Sequence, residues 1–96
     1  MTRSEILSRL REVREEAKRQ FRVQNLALFG SFARGEQTES SDVDVLADFE
    51  DDATLFEFTG LALFLEDTLG RKVDVVPRRS LRKEIRDRIL LEAERI

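Results

Sequence analysis

The apolar residues of this 96-residue chain change their spacing repeatedly, and that change limits the folds open to it. Between Ile6 and Phe21 they recur every three or four residues, which predicts an amphipathic helix to about Gln20. Short, densely apolar runs of strand length then alternate with further helical segments. The predicted strands cover residues 23–29, 42–49 and 73–76. The order α-β-α-β-α-β-α predicts a three-stranded sheet flanked by helices, in an α/β or α+β fold.

Local signals mark where the helices begin and end. Thr2 with Glu5 and Thr54 with Glu57 have the spacing of capping boxes, in which side chains bind the free backbone N–H groups of a helix start. Ser80 is expected to cap the last helix. Glycines close two of the predicted helical segments, at positions 35 and 70.

The composition excludes several kinds of active site. The chain has no Cys and no His, which rules out thiolate nucleophiles, imidazole metal ligands and Ser-His-Asp catalysis. It also has no Tyr and no Trp, so any chemistry must depend on carboxylates, hydroxyls, Arg, Lys and the backbone. No apolar run approaches the roughly 20 residues of a membrane span, and no signal peptide is recognisable. We therefore expect one cytoplasmic domain over residues 1–96.

Charge is unevenly distributed along the chain. Residues 36–70 contain eleven acidic side chains and no basic one, whereas residues 1–35 and 71–96 are both basic overall. This acidic segment could be a solvated face. Alternatively, cations from the flanking segments or a bound metal could compensate it. The net charge of −3 gives no reason to expect nucleic-acid binding.

Gly30 and Ser31 lie where the first predicted strand is followed by a short helical turn. A glycine there lets a ligand approach the backbone closely, and the N–H groups at a helix start bind anions such as phosphate. Arg34 follows closely enough to reach a phosphate or to hold the acidic loop after it. The alternative is that Ser31 only caps the turn.

Asp42 and Asp44 are two residues apart at the start of the second predicted strand. Alternate residues of a strand face the same way, so both carboxylates are expected on one face, about 7 Å apart. They repel each other unless a cation lies between them, and hard oxygen ligands of this kind suit Mg²⁺ bound with substrate phosphates. A pair directed into water at the edge of a loop is the other interpretation.

Asp74 interrupts the apolar run of the third predicted strand. A charge among β-branched side chains is costly unless it is paired or bound to a metal. If Asp74 lies beside Asp42 and Asp44, three carboxylates line one edge of the sheet and could bind two metal ions for phosphoryl transfer. Otherwise Asp74 belongs to the outward face of an edge strand.

The segment after the third strand is rich in basic residues. Arg78, Arg82 and Arg86 are four residues apart and are expected to form a stripe along the last helix. Such a stripe could bind a triphosphate, an acidic partner or RNA, or it could be a solvated face.

Taken as a set, these blocks resemble the minimal nucleotidyltransferases, the small branch of the polymerase-β-like superfamily. The resemblance rests on Gly30-Ser31, on Asp42-Val43-Asp44 after ten intervening residues (Phe32–Ser41), and on Asp74 in a later strand. It extends over essentially the whole chain. It implies an α+β palm domain with a mixed three-stranded sheet flanked by helices.

The resemblance also implies a role for each residue. Gly30 and Ser31 would bind the β- and γ-phosphates of a nucleoside triphosphate. Asp42 and Asp44 would hold two Mg²⁺ ions. Asp74 would bind the catalytic ion and help to deprotonate the attacking hydroxyl.

Many members of this branch are antitoxins whose partner is a small, all-helical HEPN ribonuclease. The antitoxins resembled here transfer AMP from ATP to a tyrosine of that toxin and silence it. The resemblance therefore implies a protein adenylyltransferase in a homo- or hetero-oligomer, with segment 55–69 and the basic last helix as expected contact surfaces. Two alternatives stay open: a module that neutralises its partner by contact alone, and nucleotidyl transfer to a small molecule such as an aminoglycoside.

Overall fold

A computed structural model describes residues 1–96 and contains four α-helices and four strands. The helices are α1 (Arg3–Phe21), α2 (Gly30–Arg34), α3 (Leu55–Leu69) and α4 (Lys83–Glu92). The strands are β1 (Val23–Phe29), β2 (Val43–Phe49), β3 (Val73–Pro77) and β4 (Glu94–Arg95). A short 3₁₀ turn, Arg78–Ser80, follows β3. None of the helices is both long and apolar enough to span a membrane.

A mixed sheet, in the strand order β3-β2-β1-β4, forms the centre of the fold. β1 and β2 are antiparallel neighbours, with Phe29 opposite Asp44. β2 and β3 are parallel, with Asp44 opposite Asp74. The helix α3 lies in the crossover that two parallel neighbours require. The predicted α+β class, a mixed sheet flanked by helices, is confirmed.

The sheet has four strands, so the predicted number of three is wrong. The additional strand, β4, has two residues and pairs with β1, with Arg95 opposite Ala27 and Glu94 opposite Leu28. A charged dipeptide has no apolar pattern that could indicate a strand. The strand forms because the chain end is anchored there: Ile96 is 8% exposed, and its N–H donates to the carbonyl of Leu26.

Of the three side-chain caps predicted at helix starts, two are present in the structure. Both predicted capping boxes are present, at α1 and at α3. The predicted start of the last helix is wrong, because Ser80 lies in the 3₁₀ turn and α4 begins after Arg82 without a side-chain cap. The backbone is extended at Leu81 and Arg82, which lets the Leu81 side chain reach the core. Arg78 is consequently outside the helix, and the expected basic stripe does not form.

The two faces of the sheet pack against different helices. α1 and α3 cover one face, where Val43 and Val45 of β2 point into the larger buried cluster. α4 covers the other face, where Leu46 packs against Leu81 and Ile89; we call this the α4 face. Residues of a strand alternate between faces, so the even-numbered residues of β2 lie on the α4 face.

Phe32 is the largest of the fully buried side chains, although it belongs to the short helix α2. Phe32→Ala is expected to lower the free energy of unfolding by about 3–5 kcal/mol, because it removes buried apolar area and leaves a cavity. Phe56 is 87% exposed, so Phe56→Ala is the control and should change stability by less than about 0.5 kcal/mol. Urea denaturation measures both values. Equal effects of the two substitutions would contradict the packing of α2 described above.

Candidate functional site

Three chain segments that carry predicted site residues meet at one end of the sheet. β1 ends at Phe29, and α2 follows directly with Gly30 and Ser31. Asp44, near the start of β2, is opposite Phe29, and Asp74, near the start of β3, is opposite Asp44. Because Val43, Val45, Val73 and Val75 belong to the core under α1 and α3, both aspartates lie on the α4 face. We call the region around Gly30, Asp44 and Asp74 the site corner.

Gly30 and Asp44 approach each other closely in the site corner. Gly30 has a φ of +75°, and a Cβ atom added to it would lie 2.1 Å from Oδ2 of Asp44. Any other residue would therefore strain the backbone and displace the carboxylate. The sequence indicated that a ligand could approach the backbone closely at this glycine; in the structure the group that lies against it is Asp44.

Negative charge is concentrated at the site corner. Burial of Asp44, together with the negative charges of Asp74 and Asp42, raises the pKa of Asp44 to about 6. Asp42 and Asp74 are exposed. None of the three aspartates takes part in an ion pair. A group of uncompensated carboxylates favours the binding of a cation.

The three aspartates do not form a complete metal site by themselves. No group of three or more acidic side chains converges closely enough to hold a metal ion. Asp74 is exposed on the edge strand β3, where it lies opposite Asp44 of β2. The donor set nevertheless suits Mg²⁺, which is commonly bound by one or two carboxylates together with substrate phosphates. Asp44 is held against Gly30, and its pKa is raised because burial and its acidic neighbours outweigh the opposing charge of Arg34.

Arg71 holds the loop that carries Asp42. Its guanidinium donates hydrogen bonds to the backbone carbonyls of Glu39 and Ser41, at 2.8 and 3.1 Å. It also lies 5.3 Å from the centre of the Phe32 ring, a cation–π distance. No sequence motif identifies Arg71, because its partners are backbone atoms 30 and 32 residues away.

Arg34 is engaged by two carboxylates. Its Nε donates to Glu36 at 2.9 Å, and its Nη1 donates to Glu92 at 3.1 Å. Glu92 also accepts the backbone N–H of Gly30 at 3.2 Å. No sequence signal identifies Glu92 either, because it lies 58 residues from Arg34 and only the course of α4 brings the two together.

An open cavity of about 610 Å³ adjoins the site corner. Its lining residues are Phe29, Gly30, Ser31, Arg34, Asp44, Arg88, Ile89 and Glu92. Four of the predicted site residues therefore share one cavity, whereas Asp42 and Asp74 lie outside its lining. A volume of this size is typical of small-molecule sites, which span about 300–1,000 Å³.

Comparison with known sequences identifies a family for this architecture. A family model described as a nucleotidyltransferase domain matches residues 10–96. The protein adenylyltransferase MntA of Thermococcus cleftensis is 41% identical over 92 residues, which cover 96% of this chain and 93% of that protein.

Solved structures have the same fold. One, provisionally assigned as a minimal nucleotidyltransferase, superposes with a TM-score of 0.85 and 36% identity, covering 100% of this chain and 95% of that chain. Another is a complex of a tri-AMPylated Shewanella oneidensis HEPN toxin with an MNT antitoxin. Its matching chain has a TM-score of 0.66 and 20% identity, over 94% of this chain and 70% of that chain, and at this identity it supports the fold alone. The resemblance to the minimal nucleotidyltransferases is confirmed.

Gly30→Ala is expected to destabilise the protein more than Gly35→Ala. Both glycines have positive φ, at +75° and +72°, so each substitution strains the backbone by about 1–2 kcal/mol. A Cβ at Gly35 meets no atom within 4 Å, whereas one at Gly30 collides with Asp44. Urea denaturation of the two variants separates the collision from the shared strain. Equal losses of stability would contradict the close approach of Gly30 and Asp44.

Removing the charge of Asp44 is expected to stabilise the metal-free protein, and more so at higher pH. The pKa of Asp44 is raised from 3.8 to about 6, so the folded state binds more protons than the unfolded state between these values. Stability therefore falls as the pH rises through this window. Asp44→Asn removes the titrating group and so avoids this loss of stability. The free energy of unfolding of the variant should exceed that of the wild type by an amount that grows between pH of about 4 and about 7 and reaches about 1 kcal/mol after solvent screening.

Urea denaturation in EDTA at several pH values measures this advantage. Asp67→Asn, which removes a carboxylate from the exposed side of α3, is the control for the loss of one surface charge. A stability difference for Asp44→Asn that stays constant across the pH range would contradict the electrostatic description of the site corner.

Proposed function

Because the chain belongs to the nucleotidyltransferase domain family, we propose that it transfers AMP from ATP to a hydroxyl group of a partner protein. The observation that carries this proposal is the meeting of Gly30, Asp44 and Asp74 at the site corner. The similarity to a protein named protein adenylyltransferase MntA supports AMP as the transferred group and a protein as the acceptor.

The proposed reaction is a displacement at the α-phosphorus of ATP. The hydroxyl oxygen of the acceptor forms a bond to this phosphorus, the bond to the oxygen bridging the α- and β-phosphates breaks, and pyrophosphate leaves. The hydroxyl proton passes to a carboxylate, for which Asp74 is suited because it is exposed at the edge of the sheet. The N–H groups at the start of α2 and the hydroxyl of Ser31 bind the β- and γ-phosphates. The protein's main contribution is to position the reactants.

A divalent cation belongs to this proposal. Mg²⁺ ions bound by Asp42, Asp44 and Asp74 would neutralise charge on the triphosphate and on the leaving pyrophosphate. The raised pKa of Asp44 supports the assignment, because burial and the neighbouring carboxylates outweigh the opposing effect of Arg34. Without a cation the same carboxylates repel ATP, so nucleotide binding is expected to require Mg²⁺.

Exposed apolar side chains on α3 support a protein partner. Leu55, Phe56 and Leu63 are 75%, 87% and 61% exposed, and exposed apolar patches commonly mark protein interfaces. We propose that the partner is a small, helical HEPN-type toxin and that this chain is its antitoxin. The solved complex of a HEPN toxin with an MNT antitoxin, which contains the same fold, motivates this choice of partner.

Asp44→Asn and Asp74→Asn are each expected to reduce AMP transfer to the HEPN partner by at least about 100-fold, because each removes a carboxylate that binds the cation. The assay mixes purified protein, partner, Mg²⁺ and ATP labelled on the α-phosphate, and follows the label into the partner. Asp48→Asn is the matched control, because Asp48 lies on the same face of β2 four residues further along. It should retain transfer.

Three results would contradict the proposal. In a parallel assay with ATP labelled on the γ-phosphate, label reaching the partner would show a kinase-type reaction. Full transfer of the α-label by Asp44→Asn would exclude the site corner as the place of the reaction. If Asp44→Asn still neutralises the partner while no label is transferred by any variant, the chain acts by contact alone.

A further inference from the structure

The carboxylate of Glu92 binds the same donors that the proposed function assigns to phosphate. Its Oε1 accepts the N–H of Gly30 at 3.2 Å. Nη1 of Arg34 donates to both of its oxygens, at 3.3 and 3.1 Å. The Glu92 side chain is 21% exposed and that of Arg34 is 45% exposed, so water still reaches the ion pair. A carboxylate and a phosphate oxygen make the same charge-assisted hydrogen bonds to such donors.

We infer that Glu92 competes with the triphosphate for Gly30 and Arg34, so that nucleotide binding requires its side chain to move away. The inference rests on the proposed function, because it concerns the same cavity. Glu92 is thus a built-in restraint on nucleotide affinity.

The charge balance of the cavity agrees with competition. Glu92 and Glu36 both pair with Arg34, which leaves this guanidinium little capacity to attract a further anion. The negative charge of Glu92 also acts on Asp44, whose pKa it helps to raise. Arg88 lines the same cavity and has no ion-pair partner. Arg88 is therefore the one cation of the cavity lining that a ligand could pair with directly.

The end of the chain holds Glu92 in place from both sides. It is the last residue of α4, and Ile89, one turn earlier, packs on Leu46. β4 follows almost at once and pairs with β1, and Glu94 forms an ion pair with Arg3 at 2.7 Å. Because the backbone is anchored, the carboxylate is expected to leave the cavity by rotation of its side chain, which staggered rotamers permit. Competition of this kind lowers affinity without abolishing it.

The test measures dissociation constants of the 96-residue protein by calorimetry in the presence of Mg²⁺. The ligands are a non-hydrolysable ATP analogue and inorganic tripolyphosphate, and the variants are Glu92→Gln and Glu92→Ala. Removing the charge is expected to tighten binding by about tenfold. The gain should be similar for both ligands, because Glu92 competes with the phosphates alone. Glu92→Ala also removes the hydrogen-bond acceptor and should bind at least as tightly as Glu92→Gln.

Glu84→Gln is the matched control, because it removes one negative charge from the exposed first turn of the same helix. Its dissociation constants should stay within about twofold of the wild type, since charges in solvent are screened. Thermal unfolding of each variant establishes that it is folded at the temperature of the titration.

Each outcome decides the question. Tighter binding by both Glu92 variants, or binding by them where the wild type shows none, supports the inference. Unchanged or weaker binding by both, when the wild type binds the ATP analogue, overturns the inference and leaves the proposed function standing; weaker binding would assign Glu92 to the nucleotide or metal site instead. Failure of the wild type and of every variant to bind either ligand overturns the inference and the proposed function together.

Discussion

The register of β1, β2 and β3 is the constraint on which the rest of the structure depends. It sets Phe29 opposite Asp44 and Asp44 opposite Asp74. A shift of one residue would turn Asp44 into the core under α1 and α3 and expose Val43 and Val45 on the α4 face. Both valines are fully buried, so packing of the core selects the one register that also assembles the site corner.

The site corner is electrostatically unfavourable in the protein alone. Asp44 is partly buried beside other carboxylates. Its pKa is raised because the charged form is less favourable there than in water. Strongly perturbed groups in clefts are characteristic of functional sites, where stability is commonly sacrificed for activity. A bound cation would supply the positive charge that the aspartates lack, and a polyphosphate could take the place of Glu92 beside Arg34. In the protein alone, the carboxylate of Glu92 balances the positive charge of Arg34.

Only some of the negative charges in the acidic segment 36–70 are paired with cations of the flanking segments. Arg22 pairs with Asp52, and Arg34 pairs with Glu36, so the basic first segment does supply cations to the acidic one, which was one of the expected arrangements. Arg71 from the last segment stabilises the same region through backbone carbonyls. The aspartates of the site corner receive no such partner, which is why they stand out as candidates for binding a cation.

Short-range patterns were enough to predict an α/β or α+β fold, both capping boxes and the Gly30-Ser31, Asp-x-Asp and Asp74 blocks, because periodicity and local spacing act within a few residues. The choice of α+β came from the family resemblance. They failed for Ser80, where the burial of Leu81 overrides the capping preference. They could not reveal β4 or the contacts of Glu92, because a two-residue strand has no pattern of its own and a hydrogen bond across 62 residues exists only once the chain has closed on itself. The tertiary structure alone therefore settled which groups surround the predicted residues, since long-range packing, and not local preference, places them there.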